Sequence, residues 1–384
     1  MRPRLSATMA AAVTALVLAA CSSEQDPGSA AGPEATPETV PEIVPETAKV
    51  FRPSDVPAGS SGSVVAVRDG ELVTCRGWGE ADRGTGASPG CETIYDIGSV
   101  TKQFTGAAVV KLQMQGRLDV SDPIGEHFDG VPADKRGITV RHLLTHTSGL
   151  VEGLGDDYEP VTRPALIAGA WASELRSHPG ARHHYSNLGY SLLAAIVEEA
   201  SGLGYEEYLA EELFTPAGME DTGYVLPQWD PADVAVERDP RDRPQGRPYD
   251  HPWAEDGPYW NLRGNGGLLS TAHDMGRWLL ALEGERVLDA AAKEELFQPR
   301  VREEPGGETR YAYGWVIADT SLGVLHWHNG GNGWSYAELA RLPERGAGLF
   351  WVTHHHRSTA GGWNLELLEP SLTERVAGRL VAAG

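Results

Sequence analysis

Residues Ile97-Gly98-Ser99-Val100-Thr101-Lys102-Gln103-Phe104 place a hydroxyl and an amine three positions apart, in a segment that reads as the opening of a helix. At that spacing both side chains share one helical face. A serine attacks a carbonyl efficiently only with a base beside it, and a lysine is such a base only where burial or neighbouring charge leaves it neutral. Arginine does not give up its proton. Of the 32 basic residues in this 384-residue chain only five are lysines (Lys49, Lys102, Lys111, Lys135 and Lys293), and Lys102 alone has a serine three positions before it. Taken alone, Ser99 to Lys102 fits a solvated lysine behind a capping serine equally well. Its surroundings break the tie.

Upstream, residues 63–68, Asp69-Gly70 and residues 71–75 read as a β-hairpin, because Asp-Gly between two β-rich runs favours a type I′ turn. Downstream, helical patterns run over 104–116, 140–144, 188–202, 205–214 and 274–282. Strands return at 336–342 and 348–353, joined by Pro343-Glu344-Arg345-Gly346, and 372–382 reads as a closing helix. Strands at both ends around a helical middle predict an α/β (α+β) chain with one sheet built from residues 51–98 and 310–384, and a mainly helical region over 99–285. Residues 227–262 break the pattern, being crowded with Pro, Asp and Arg yet holding Trp229, Trp253, Tyr259 and Trp260. A long irregular segment inside a domain is either functional or disordered, and the aromatics favour function.

Three other segments carry chemistry. Tyr185-Ser186-Asn187 precedes the 188–202 helix, so Asn187 fits an N-cap as readily as a site residue. His328-Asn329-Gly330-Gly331 stands before a strand, where glycines allow close backbone approach and their N–H groups can face an oxyanion. Gly266-Gly267-Leu268-Leu269-Ser270-Thr271 reads as a strand-to-helix turn.

The nucleophile segment, His142-Leu143-Leu144-Thr145-His146-Thr147-Ser148-Gly149-Leu150, Tyr185-Ser186-Asn187 and His328-Asn329-Gly330 together, in this order, resemble the serine β-lactamase and penicillin-binding-protein superfamily. The likeness is to its β-lactamase-related branch, which includes class C enzymes, D,D-carboxypeptidases, D-aminopeptidases and esterases, and it spans about residues 52–380. It implies a β-lactamase/transpeptidase-like fold, an antiparallel sheet flanked by helices. It also implies roles: Ser99 as nucleophile, Lys102 with Tyr185 as the proton-transfer pair, and Asn187 hydrogen-bonded to Lys102 and the substrate amide. The N–H groups of Ser99 and Gly331, beside Gly330, would form the oxyanion hole, with no metal or organic cofactor.

His328 departs from the Lys-Thr-Gly of many relatives, where a fixed cation can bind a substrate carboxylate. Its unperturbed pKa lies near ~6.5, so histidine would supply that charge only conditionally. This favours a D,D-carboxypeptidase, peptidase-like or esterase activity over β-lactamase action. His355 and His356, after Thr353-His354, are candidates for a positive substrate rim, and Trp253, Tyr259 and Trp260 for an apolar wall. Two other readings compete: a catalytically silent peptide- or penicillin-binding surface protein, and a zinc hydrolase using His183, His184, His326, His328 and the 354–356 run. The histidine spacing fits no known zinc motif.

The chain begins with Arg2 and Arg4, an apolar stretch from Ala10 to Ala20, and Leu18-Ala19-Ala20-Cys21. That pattern is a signal peptide over residues 1–20, and it resembles the lipobox of bacterial lipoproteins, with Cys21 as the lipidated residue. Residues 21–50 repeat Pro-Glu at 37, 41 and 45 with few large apolar side chains, which predicts a disordered stalk. The expected product is extracytoplasmic and anchored to a bacterial membrane, with residues 51–384 as the catalytic domain and a small molecule or peptide as substrate. The net charge of −22 argues against nucleic acid as a partner. The remaining cysteines, Cys75 and Cys91, are a plausible disulfide in an oxidising compartment.

Overall fold

A computed structural model describes residues 50–382; the expected signal peptide and most of the expected stalk, Cys21 included, lie outside the described residues. Asp69 and Gly70 adopt φ of 49° and 81°, the paired positive values of a type I′ turn, and join β1 (Gly62–Arg68) to β2 (Glu71–Trp78). Numbering the strands of the large sheet in chain order continues with β3 (Val301–Arg302), β4 (Arg310–Tyr311), β5 (Val316–Thr320), β6 (Gly323–Gly331), β7 (Tyr336–Leu342) and β8 (Ala347–Thr353). Their spatial order is β2-β1-β8-β7-β6-β5-β4-β3, antiparallel at every step. The sheet is therefore built from both ends of the domain, and β1 beside β8 is the seam.

Both faces of that seam are covered. Val65 and Val67 of β1, with Leu339, Phe350 and Val352, pack into the larger core, whereas Val64 and Ala66, with Ala340, Leu349 and Trp351, pack into a second. Alternation at a period of two sends successive residues to opposite faces, so a strand buried on both sides reads as a continuous apolar run. Nine helices are found among the described residues: α1 (Thr101–Met114), α2 (Val140–Leu144), α3 (Arg163–Ala172), α4 (Asn187–Ser201), α5 (Tyr205–Leu209), α6 (Thr215–Ala217), α7 (Ala272–Glu283), α8 (Ala290–Phe297) and α9 (Ser371–Ala382). The larger core takes side chains from α1, α4 and α7; α9 covers the other face through Leu372, Val376 and Leu380. Helix α1 is buried nearly all round, which its Gly-Ala-Ala-Val-Val centre permits.

Several expectations need correction. Ile94–Asp96 leaves the large sheet and pairs with Leu269–Thr271, and the returning strands begin at Val301. Helices α3 and α8 were not anticipated, although Thr162 and Asp289 cap them through their side chains. The 227–262 segment is ordered into short ladders, and of its aromatics Trp260 belongs to the core and not to a substrate wall. Trp260 is 8% exposed inside the larger core, between the guanidinium groups of Arg163 and Arg263. Trp253 stands edge-on to Tyr224, and the Tyr259 carbonyl accepts the Leu262 and Arg263 N–H groups. Trp260→Ala should lower stability by about 3–5 kcal/mol, the usual cost of emptying a large core site, while leaving the ranking of substrates unchanged. Thermal melts set beside a small ester panel check this; a reordered ranking at unchanged melting temperature would return Trp260 to the site.

Cys75 of β2 and Cys91 are joined in a disulfide with Cα atoms 5.6 Å apart and a sequence separation of 16. It ties β2 to the segment leading into the nucleophile turn, where the Ser63 hydroxyl also donates to the Gly90 carbonyl. Cross-linking a loop of this size stabilises by up to ~3 kcal/mol on the chain-entropy account. Reductant, or Cys75→Ser with Cys91→Ser, should lower the melting temperature and leave Ser99 acylation intact; unchanged melting would sink the stabilising role.

Candidate active site

Asp96 begins the local order of the site. Its carboxylate accepts the Gly98 N–H at 2.6 Å and an Asn332 amide hydrogen at 2.9 Å, which turns the chain at Gly98 (φ 51°). One 3₁₀ turn, Gly98–Val100, then feeds into α1. The end of β6 runs directly against this turn: a Cβ at Gly330 would meet the Ser99 nitrogen at 2.2 Å, and one at Gly98 would meet the Gly331 nitrogen at 2.3 Å. Only glycine at both places lets the backbones approach so closely. The Ser99 and Gly331 peptides are thereby brought side by side. A cleft of about 300 Å³ opens there, lined by Ser99, Tyr185, Gly330, Gly331, Asn332 and His356 among others.

Lys102, one helical turn after Ser99, is fully buried, with Nζ 2.9 Å from Ser99 Oγ and donating to the Asn265 carbonyl at 2.7 Å. Burial drives its pKa well below the ordinary lysine value, against the opposing pull of Asp157 and Glu152. A neutral amine has one lone pair and two N–H bonds. Here it can accept the Ser99 proton while still donating to Asn265. The Tyr185 and Tyr190 rings lie 4.8 and 5.6 Å from Nζ. Burial also raises the Tyr185 phenol above its ordinary value, partly offset by its hydrogen bond with Ser99.

Other expected residues fall differently. Ser186, not Asn187, caps α4, its hydroxyl accepting the Gly189 N–H at 3.0 Å. Asn187 occupies the first helical position with its Oδ1 buried and unpartnered, and the expected bond to Lys102 is replaced by the Asn265 carbonyl. His328 is 3% exposed; its Nδ1–H donates to the Asn329 carbonyl, and its Nε2 accepts from the Tyr311 hydroxyl at 2.9 Å. Burial and the nearby Lys102 depress its pKa to about 3, so the conditional cation expected there is a buried neutral ring. His356 reaches the cleft wall, whereas His355 is buried with its ring against Trp363, away from the cleft. His354 hydrogen-bonds Ser61, and His326 packs on Phe297. Among the described residues, no group of three or more His, Cys, Asp or Glu is placed to hold a metal ion.

Several site residues went unnoticed in the sequence. Asn332 bridges two buried carboxylates, Asp96 and Glu237, and Glu237 in turn pairs with His251 at 2.8 Å. Burial, then Glu237, pushes the Asp96 carboxyl up to about 7. His251 stacks on Trp334 at 4.4 Å, with Tyr158 on the same ring at 4.7 Å. The 227–262 segment thus reaches the site through Glu237, with His251 behind it. Asn265 was equally unmarked, since it contributes a carbonyl; the Gly264-Asn265-Gly266-Gly267 run was the available signal.

Comparison with known proteins agrees with this geometry. Residues 54–364 match the Beta-lactamase family. The PbpX protein of Bacillus subtilis (strain 168) is 30% identical over 270 residues, 68% of this chain and 63% of that protein's length. The D-alanyl-D-alanine-carboxypeptidase/endopeptidase AmpH of Escherichia coli (strain K12) is 28% identical over 77% of this chain and 80% of its own. The octameric penicillin-binding protein homologue from Pyrococcus abyssi superposes with a TM-score of 0.71 at 28% identity, covering 83% of this chain and 74% of that one. With a serine and a buried lysine at hydrogen-bond distance in a fold shared with these proteins, the chain belongs to the Beta-lactamase family of serine hydrolases.

Proposed function

We propose that this protein hydrolyses an ester or amide through an acyl-enzyme on Ser99, acting as an esterase or peptidase on substrates without a free carboxylate. The observation that carries this reading is the fully buried amine of Lys102, 2.9 Å from Ser99 Oγ and matched by no carboxylate within ion-pair distance among the described residues. Ser99 passes its proton to Lys102, with the Tyr185 phenol also hydrogen-bonded to the serine hydroxyl, and attacks the carbonyl. The Ser99 and Gly331 N–H groups hold the oxyanion. The proton returns to the leaving group, and water then releases the acyl group by the same path in reverse.

The preference for uncharged substrates follows from the charges around the site. The groups acting on Lys102 and Tyr185 include Asp157, Glu152 and Glu303, and Glu366 lines the cleft. His328 adds no positive charge. An anionic β-lactam or D-Ala-D-Ala terminus therefore meets a field of its own sign. A D,D-carboxypeptidase activity is the second reading, supported by the likeness to AmpH and by His356 on the cleft wall. Lipidation of Cys21 and a site of action outside the cytoplasm complete the proposal, on the strength of the Leu18-Ala19-Ala20-Cys21 sequence.

Incubation with p-nitrophenyl esters, D-Ala-D-Ala peptides and nitrocefin, followed by mass spectrometry of the trapped protein, tests the reading. Ester acylation on Ser99 with turnover is the expected result; labelling by penicillin without turnover of any substrate would mark a silent binder. Ser99→Ala should reduce turnover by about 10⁴-fold or more at near-normal melting temperature. Lys102→Arg should be nearly as damaging, because a guanidinium keeps its proton, and near-normal turnover in that variant would remove Lys102 from proton transfer.

The pH dependence has a definite sign. Reaction needs neutral Lys102, so acylation of an uncharged ester is present above the lowered pKa of that amine and is lost as pH falls through it. His328, at about 3, stays neutral across the working range and contributes no inflection between roughly pH 5 and 8. His328→Gln should therefore leave the shape of the kcat/KM profile unchanged on both a charged and an uncharged ester. A KM that climbs with pH in the wild type and is flat in the variant would show instead that His328 titrates against substrate.

A further inference from the structure

His146 lies in the His142–Leu150 segment, and no step above uses it. It is fully buried and holds φ of 56°, one of three non-glycine residues with positive φ among the described residues and the only fully buried one. A left-handed conformation costs up to about 1–2 kcal/mol in most residues with a Cβ. The imidazole carries a second cost. Its Nδ1 accepts the Ser186 N–H at 3.0 Å, which places the ring proton on Nε2, and Nε2 is buried with no acceptor. A buried donor without a partner costs roughly 1–3 kcal/mol. Two penalties retained at one residue point to a task that requires them.

The contacts identify the task. The His146 carbonyl accepts the His184 N–H at 2.7 Å while its ring accepts that of Ser186, so the residues on both sides of Tyr185 are held by this one residue. The His146 ring lies 4.3 Å from the Tyr185 ring, 4.6 Å from Tyr311 and 5.0 Å from Tyr190, closing the aromatic cage around Lys102. The left-handed backbone is what aims the carbonyl and the ring at the same loop. We infer that His146 is the positioning residue that sets the Tyr185 phenol against Ser99, gripping the loop by its backbone and the phenol by its ring. Burial, reinforced by Lys102, keeps the imidazole uncharged, so it adds no repulsion when Lys102 takes up a proton.

The inference rests on Tyr185 taking part in proton transfer, and the experiment separates the two. Single-turnover acylation by a p-nitrophenyl ester is measured for wild type, His146→Ala, His146→Asn, Tyr185→Phe and the double variants. His146→Ala should slow acylation by about 100-fold, the scale of a misplaced catalytic group, with the ester's KM little changed. Asparagine tolerates the left-handed backbone and can offer Oδ1 to the Ser186 N–H, so His146→Asn should recover about tenfold of that loss. In the Tyr185→Phe background His146→Ala should cost about twofold or less, because residues acting through one another are not additive.

Equal losses in both backgrounds, or an asparagine variant no better than alanine, would make His146 a scaffold residue and overturn the inference. If His146→Ala does not fold, His146→Gly keeps the backbone conformation and takes its place in the cycle. Full activity in Tyr185→Phe alone would sink the proton-transfer role of Tyr185 and the positioning role with it. An impaired Phe variant with additive losses would sink only the latter.

Discussion

The buried amine of Lys102 is the constraint around which the rest of the site is arranged. An ammonium in this position would need a carboxylate partner or water, and burying it with neither costs far more than the fold can supply. The protein surrounds it instead with Tyr185, Tyr190 and the Asn265 carbonyl, none of which supplies the full negative charge that would offset burial of an ammonium. The carboxylates of Asp157 and Glu152 act from a distance and leave the balance with burial. An uncharged amine is thus made from a side chain that is ordinarily a cation, within hydrogen-bond distance of Ser99.

That arrangement depends on elements far apart in the chain. The Gly98–Val100 turn and helix α1 supply Ser99 and Lys102, α4 begins at Asn187 just after Tyr185, the 264–267 glycine loop supplies the carbonyl, and β6 lays Gly330 and Gly331 against the Ser99 turn. Asp96 and Asn332 tie the first of these to the last from behind. The two closest approaches are between backbones, which is why glycine stands at 98 and at 330. A side chain at either would push β6 off the turn and separate the two N–H groups proposed to bind the oxyanion.

Much of this was legible at the level of short segments. Ser99 and Lys102 at helical spacing gave the chemistry, the Asp69-Gly70 turn gave the first hairpin, and strands at both ends around helices gave the sheet. The misreadings have one cause. Trp260 looked like part of a substrate wall because an aromatic residue in a proline-rich segment is ambiguous until its neighbours are known; it lies in the core beside Arg163 and Arg263. His328 looked titratable because an isolated imidazole is. Its burial against Tyr311, beside Lys102, is a property of packing.

The sequence by itself determined which groups could do chemistry: a serine with a lysine one turn away, a tyrosine before a helix, glycines before and within a strand, and two cysteines. These are local facts, set by spacing and by residue type. Only the tertiary structure decided the charge each group carries and the partner it meets, because desolvation and hydrogen bonding depend on separate segments of the chain, up to 163 residues apart for Lys102 and Asn265. The amine is left uncharged, the histidine stays neutral and the asparagine loses its expected lysine to a carbonyl at position 265 for that reason. Backbone atoms, which no residue type advertises, make the contacts that hold the site together.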